Sequence, residues 1–466
     1  MDKKLNSKKA SIYYLIGTLF NKGIGFITVP VFTRILTVND YGIVTTYNSW
    51  VSIFMVIMSL SLYMSVRLCF VDYKGKEREF LSTILIFTIV YGGVIICVSS
   101  FLCILFNEYL NWIITMMCLI QALGSALLEN ISQYLMMKYK YKFRTFLMIF
   151  PNFISTLLAI ILINFFCSSK LYLGRIIPTA LITFGIAIIL VVCFLIKNKI
   201  KYNREYVYYG LKISLPLVLH GIALNVLSQS DRTMISIIRN NSETGIYGLI
   251  YNFSMIATVI TTAFEGIWVP FFIRKMDDKE YEKINIWGTK YIELMAIAMI
   301  FVILCGPEIV KMLATKTYWE GISIIPPIVL SNFLIFAYTL YVNVEHYYKK
   351  TVFISVNTII AGLLNIILNF GFIDLWGYVG AAYSTFISYA VSLGLHFWYS
   401  RTLNKNVFPF KKFMLPMFLI LCIVCLFYTF IEDTLIRWGI AIICCFIVIV
   451  KERVLILDIL KVKKYE

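Results

Sequence analysis

The stretch FLSTILIFTIVYGGVIICVSSFLCILF, Phe80 to Phe106, holds no charged side chain over its 27 residues. As a helix rising 1.5 Å per residue it would be about 40 Å long, more than the roughly 30 Å hydrocarbon core of a bilayer. A strand of a membrane barrel needs only about ten residues of alternating polarity. The stretch therefore reads as a membrane-crossing helix. Working outward, comparable apolar runs lie near 11–36, 43–70, 110–137, 144–168, 172–197, 208–238, 244–273, 284–305, 319–348, 352–372, 377–400, 412–430 and 434–450. The expected fold is an all-α polytopic membrane protein of about fourteen transmembrane helices. With 60% hydrophobic and 14% charged residues, the chain has too few charges to cover its apolar surface as a soluble domain.

The net charge of +17 points to membrane orientation, not nucleic acid, because the basic residues sit in short loops that are alternately rich and poor in them. Of the 42 Lys and Arg, 33 fall on one side of the fourteen-span reading and 7 on the other. The rich side is cytoplasmic. An even number of spans places both termini there, and both are basic. Lys3, Lys4, Lys8 and Lys9 precede an apolar run too long for a cleaved signal peptide, so the N-terminal segment is expected to remain as a signal anchor.

Two cations belong to neither side: Lys22 in the first span and Arg232 in the seventh. A charge at span depth costs about 2.5–3.5 kcal/mol even on the lenient insertion scale, which makes each a candidate functional residue. Lys22 lies about 15 Å deep, near the midplane, with Thr18, Asn21, Gly25 and Thr28 on or beside its face. Arg232 lies roughly 9 Å inside the outer boundary. It closes a polar stripe of Gly221, Asn225, Ser228, Gln229 and Arg232 that follows one helix face.

No Gly-rich phosphate loop is present, so ATP hydrolysis by this chain is not expected. His220, His346 and His396 are not at metal-ligand spacing, and no metal site or cofactor is expected. The 11 Cys lie mostly within spans and read as packing residues. An internal repeat pairs Tyr41-Gly42 and Tyr47-Asn48 with Tyr247-Gly248 and Tyr251-Asn252. It divides the chain into six spans, six more of the same orientation, and two at the end.

Three stretches carry a family resemblance: NKGIGFITVPVFTRILTVNDYG at 21–42; SQSDRTMISI at 228–237 followed by TGIYG at 244–248; and LLNIILNFGFIDLWGYVGAAYSTFISYAV at 363–391. Together they resemble the polysaccharide transport family of the multidrug/oligosaccharidyl-lipid/polysaccharide exporter superfamily, which includes flippases of O-antigen and capsule repeat units. The resemblance implies a six-helix bundle at 1–200 and another at 201–403, around a central cavity. Two extra helices and a basic cytoplasmic tail follow at 404–466. It also implies a non-enzymatic flippase in the bacterial cytoplasmic membrane. The implied cargo is an undecaprenyl-pyrophosphate-linked oligosaccharide, moved from the inner to the outer leaflet by alternating access. A polysaccharide polymerase and a chain-length regulator are the implied partners.

Within that frame Lys22, Arg232, Asn21, Asn225 and Gln229 are the candidate substrate-binding residues, since phosphate oxygens accept charge-assisted hydrogen bonds and Arg can bind them in pairs. The competing reading is an internal ion pair, of Arg232 with Asp231 or of Lys22 with Glu129 or Glu265. Glu129 and Glu265 are candidates for proton or sodium coupling. Asn357, Asn365 and Asn369 share one face and serve either as interhelical glue or as sugar contacts. Rival functions are a peptidoglycan lipid-precursor flippase and a drug/cation antiporter, the latter expected to carry acidic cavity residues. A membrane polymerase is a third, and would need a large outer catalytic loop.

Overall fold

The computed structural model describes residues 28–106, 111–165, 169–198, 202–409 and 411–451. All regular structure among them is helical. Nine helices of the described residues are long and apolar enough to cross a membrane, and two shorter apolar helices lie over Met414–Thr429 and Thr434–Cys444. The chain forms two compact units, Met1–Gly245 and Ile246–Glu466.

The first unit contains α1 (Val38–Ser59), α2 (Tyr63–Asp72), α3 (Glu77–Leu105), α4 (Trp112–Met137), α5 (Tyr141–Phe165), α6 (Leu171–Asn198) and α7 (Arg204–Ile238). Its core gathers Met58, Leu62 and Val66 with Phe80, Ile84, Leu119, Leu127 and Tyr206. Lipid is as apolar as these side chains, so helices associate by close packing. At Gly124 on α4 an added Cβ would stand 2.7 Å from the Phe184 Cα of α6. A larger residue there would push the two helices apart.

The run expected to cross at 43–70 is broken. Leu60 and Ser61 take left-handed backbone angles, φ 44° and 53°, so α1 stops and α2 starts anew. The Ser59 hydroxyl accepts from the Ser61 amide at 3.2 Å, a local side-chain bond that competes with the helical ladder. The break lies against α7: Gly221 there faces Val56 and Ser61, and Gly210 faces Leu62 and Ser65.

The second unit contains most of α8 (Asn241–Ser254), then α9 (Ile256–Asp277), α10 (Tyr281–Leu313), a 3-10 turn (Lys316–Ile324), α11 (Ile325–Tyr347), α12 (Thr351–Trp376), α13 (Tyr378–Leu403), α14 (Lys411–Thr429) and α15 (Thr434–Lys451). The expected run 244–273 is also interrupted, at Met255 between α8 and α9. Among the candidate spans of the described residues α11 is the most enclosed, and it packs on α13, which packs on α12.

The two final helices are fastened to α10. Arg437 is fully buried and donates to the Leu304 carbonyl (2.8 Å) and to both carboxylate oxygens of Glu308 (3.0 and 2.5 Å). The linker after α13 is held by Asn285, which donates to the Asn406 carbonyl and accepts from the Phe408 amide, both at 2.7 Å.

α7 belongs by packing to the first unit, where it lies against α1, α2 and α3. We propose that a six-plus-six-plus-two repeat of spans divides the chain at 200 and 403.

Candidate functional site

The site is built on α7. Asn203 caps its N-terminus by accepting from the Glu205 amide at 2.9 Å, and Glu205 places a negative charge in the first turn, where the helix dipole favours it. Pro216, inside the helix, removes one ladder hydrogen bond.

Beyond Pro216 the polar stripe turns back along its own backbone. Asn225 Nδ2 donates to the Gly221 carbonyl (2.9 Å) and Ser228 Oγ to the Asn225 carbonyl (3.4 Å). Arg232 Nη1 donates to the Ser228 carbonyl (3.0 Å) and to Gln229 Oε1 (2.7 Å). Gln229 Oε1 also accepts from Ser49 Oγ of α1 at 3.3 Å. The Arg232 side chain is thereby oriented by its own helix and by α1.

Arg232 is only 4% exposed and Asp231 is fully buried. Gln229 and Asn225 are half-buried, so the stripe runs from a desolvated cation to a more open polar surface. A guanidinium in such surroundings is attracted to an anion far more strongly than one in water.

The turn after α7 explains two of the quoted motifs. Thr244 Oγ1 donates to the Asn240 carbonyl at 3.1 Å and reaches the Arg232 carbonyl at 3.5 Å. Gly42 and Gly245 let α1 and the start of α8 touch backbone to backbone. A Cβ at Gly42 would lie 1.7 Å from the Asn241 carbonyl oxygen, and one at Gly245 would lie 2.3 Å from that of Val38. These glycines bring the start of α8, directly after α7, against α1.

Of the other candidates, Lys22 and Asn21 lie outside the described residues. Glu129 is on α4, in the same unit as Arg232. It accepts from Gln133 Nε2 at 2.5 Å, and Gln133 Oε1 accepts from Arg67 Nε at 2.9 Å. Glu129 is thus linked to a cation through an amide. Glu265 is on α9 in the second unit, half-buried, and lines a small cavity with Trp268, Tyr291, Phe336, Thr339, Leu340 and Asn343.

The three asparagines of α12 are interhelical glue. Asn357 Nδ2 donates to the Ser392 carbonyl (3.1 Å), Asn365 Nδ2 to Thr385 Oγ1 (3.3 Å), and Asn369 Nδ2 to Asn365 Oδ1 (3.1 Å). Asn369 also accepts from Ser384 of α13.

Sequence reasoning missed Ser49 as the support of Gln229. It also missed a buried pair in which His396 Nδ1 stands 2.9 and 3.1 Å from the two Glu345 oxygens, under the Tyr338 ring. Each is a lone polar residue in an apolar run, and only tertiary packing unites them.

Comparison with known proteins agrees with this architecture. The family model described as "Polysaccharide biosynthesis protein" matches residues 7–276. The chain is 23% identical over 374 residues to "Lsg locus putative protein 1" of Haemophilus influenzae, covering 76% of this chain and 88% of that protein. Among solved structures it is similar to the lipid II flippase MurJ in an inward closed conformation, with TM-score 0.68 and 16% identity over 96% of this chain and 99% of that one. It is also similar to a multidrug resistance MATE family transporter of the MOP superfamily in an inward-facing conformation, with TM-score 0.61 and 12% identity over 83% of this chain and 94% of that one.

Proposed function

Because the chain belongs to the polysaccharide biosynthesis protein family, we propose that it is the flippase of that process. In this reading it moves an undecaprenyl-pyrophosphate-linked oligosaccharide, the repeat unit of an O-antigen, capsule or exopolysaccharide, from the inner to the outer leaflet of the bacterial cytoplasmic membrane. Translocation is by alternating access without ATP, both termini are cytoplasmic, and a polymerase and a chain-length regulator work with the product.

The observation that carries this reading is Arg232: a buried guanidinium on a helix long and apolar enough to cross a membrane, oriented by Gln229 and Ser49. The pyrophosphate is the charged part of the cargo and costs the most to take out of water, and fixed N–H donors replace the water it loses. Asn225 and Gln229 offer amides to the same end of the cargo. Lys22 acts with Arg232, one nearer the midplane and one nearer the outer face, to pass the pyrophosphate along. Glu129 and Glu265 are the candidates for coupling to a proton or sodium gradient.

The test is surface polysaccharide in cells whose copy carries Arg232→Ala, Arg232→Lys or Lys22→Ala, with membrane abundance measured by immunoblot. The expected result is loss of polymer in both Ala variants at normal abundance, with partial recovery in Arg232→Lys, which keeps the charge and loses the fork geometry. Normal polymer in both Ala variants would refute the reading. Loss of viability in place of loss of polymer would point to a peptidoglycan precursor as cargo.

A further inference from the structure

Glu345 of α11 and His396 of α13 form a buried pair that the cargo reading leaves unused. Glu345 is fully enclosed and His396 is 2% exposed. His396 Nδ1 lies 2.9 and 3.1 Å from the two carboxylate oxygens. An ionised carboxylate can only accept, so Nδ1 carries a hydrogen and the ring's remaining protonation site is Nε2. The imidazole is stacked on Tyr338 at 5.3 Å and meets the ring of Phe353 of α12 edge-on at 6.0 Å.

The first unit closes the matching joint without charge. α4 and α11 end in the same turn: the Lys140 amide donates to the Leu135 carbonyl at 2.9 Å and the Lys350 amide to the Glu345 carbonyl at 2.8 Å. Tyr139 and Lys349 both take left-handed backbone there, at φ 54° and 59°. Leu135 is therefore the counterpart of Glu345. α4 packs on α6 as α11 packs on α13, and in that contact Leu135 and Val191 are buried in an apolar core. A buried ion pair rarely adds stability over well-packed apolar side chains of similar size. Holding these two helices together thus does not require a carboxylate and an imidazole, and His is the side chain whose charge changes nearest neutral pH.

With an imidazolium the pair has no net charge. Losing that proton leaves a lone charge in the packed interface, which favours any arrangement that lets water reach the carboxylate. The titratable groups around the pair are His346, within electrostatic reach of both partners, Tyr338 of α11, and Tyr399 of α13, which stacks on Phe353 at 3.8 Å. α12 has no charged side chain before Asp374. Glu265 of α9 and Arg401 of α13 act at one remove, through Tyr338 and Tyr341.

We propose that Glu345 and His396 form a proton-binding site, separate from Glu129 and Glu265, that latches α11 to α13. With the imidazolium the helices are held together, and with the neutral imidazole they part enough to hydrate Glu345. The proton comes from a hydronium ion, which leaves as water, and binds the Nε2 lone pair while the Nδ1 hydrogen stays on the carboxylate; release is the reverse. The inference stands on the second unit alone and does not depend on the cargo.

The chain has three histidines, so nitrogen-15 labelling of histidine in the full chain in lipid bilayers gives few enough ring signals to assign by solid-state NMR. The His396 signal is the one lost in His396→Gln. The expected result is an imidazolium signal for His396 that converts to neutral imidazole as pH is raised, and that is absent at the starting pH in Glu345→Gln. Across the same transition the backbone amides in the last turns of α11 should lose hydrogen-exchange protection several-fold, after correction for the intrinsic effect of pH. The double variant Glu345→Leu with His396→Val, which copies the apolar joint of the first unit, should keep its protection unchanged by pH. A His396 ring that stays neutral throughout, or a pH-dependent loss of protection that persists in the double variant, would overturn the proposal. Wild-type protection that stays flat through the His396 transition would overturn it without any variant.

Discussion

Two polar stripes run through this protein, on α7 and on α12, and both break an apolar helix with amides at helical spacing. The α12 stripe is sealed: Asn357, Asn365 and Asn369 are at most 1% exposed and are bonded to α13 or to each other. The α7 stripe folds back on its own carbonyls, leaves Asn225 and Gln229 half-buried, and ends in a cation. Spacing alone marks a polar face, and what covers that face decides whether it is glue or a surface for cargo.

The largest expected effect separates the two. Arg232→Ala removes charge-assisted bonds worth about 1.5–3 kcal/mol. Export per molecule should fall about ten- to a hundredfold on that scale, with membrane abundance unchanged. Asn369→Ala should behave the opposite way, losing bonds that average about 0.6 kcal/mol in membrane proteins, up to about 1.7. Thermal stability in detergent should drop, and export per folded molecule should stay near the wild-type value. If Asn369→Ala cut export at full abundance, the glue assignment would be broken.

Ser49→Ala sharpens the comparison on a finer scale. It removes one neutral bond to Gln229, worth about 1 kcal/mol, and loosens Arg232 without touching its charge. A several-fold rise in the cargo concentration needed for half-maximal flipping in proteoliposomes is expected, with the maximal rate little changed. The smallest effect belongs to the turn after α9. There Lys283 and Lys275, 2.7 and 2.9 Å away, hold the Glu280 carboxyl below its ordinary range. Such a group contributes stability above its unfolded pKa of about 4.3 and loses it as pH falls through the lowered value. Glu280→Gln should therefore leave the melting temperature flat from neutral pH down to weakly acidic pH, because exposed pairs are worth little.

The polytopic all-α fold was legible from apolar runs and charge alternation, because a bilayer makes a spanning segment satisfy its backbone hydrogen bonds within a helix. Two interruptions were not, at Leu60–Ser61 and at Met255. Each is a local backbone choice inside a run whose hydropathy does not change. The stripe from Gly221 to Arg232 was legible because its period is helical. Ser49 was not, since it lies 180 residues from Gln229 and is one serine among many. The α12 asparagines stayed ambiguous in sequence for the same reason, as their partners Thr385, Ser384 and Ser392 are supplied by another helix. Gly42 and Gly245 stood inside the quoted motifs, but the backbone contact that requires them shows only when α1 meets the start of α8.

The central claim is that Arg232 holds the diphosphate of a lipid carrier. Its most direct test is binding of undecaprenyl pyrophosphate, without sugar, to the purified full chain in lipid nanodiscs, compared with undecaprenyl monophosphate and with the Arg232→Ala variant. The account predicts saturable binding that favours the diphosphate and is weakened at least tenfold in Arg232→Ala. Equal binding of the diphosphate by wild type and variant would contradict it.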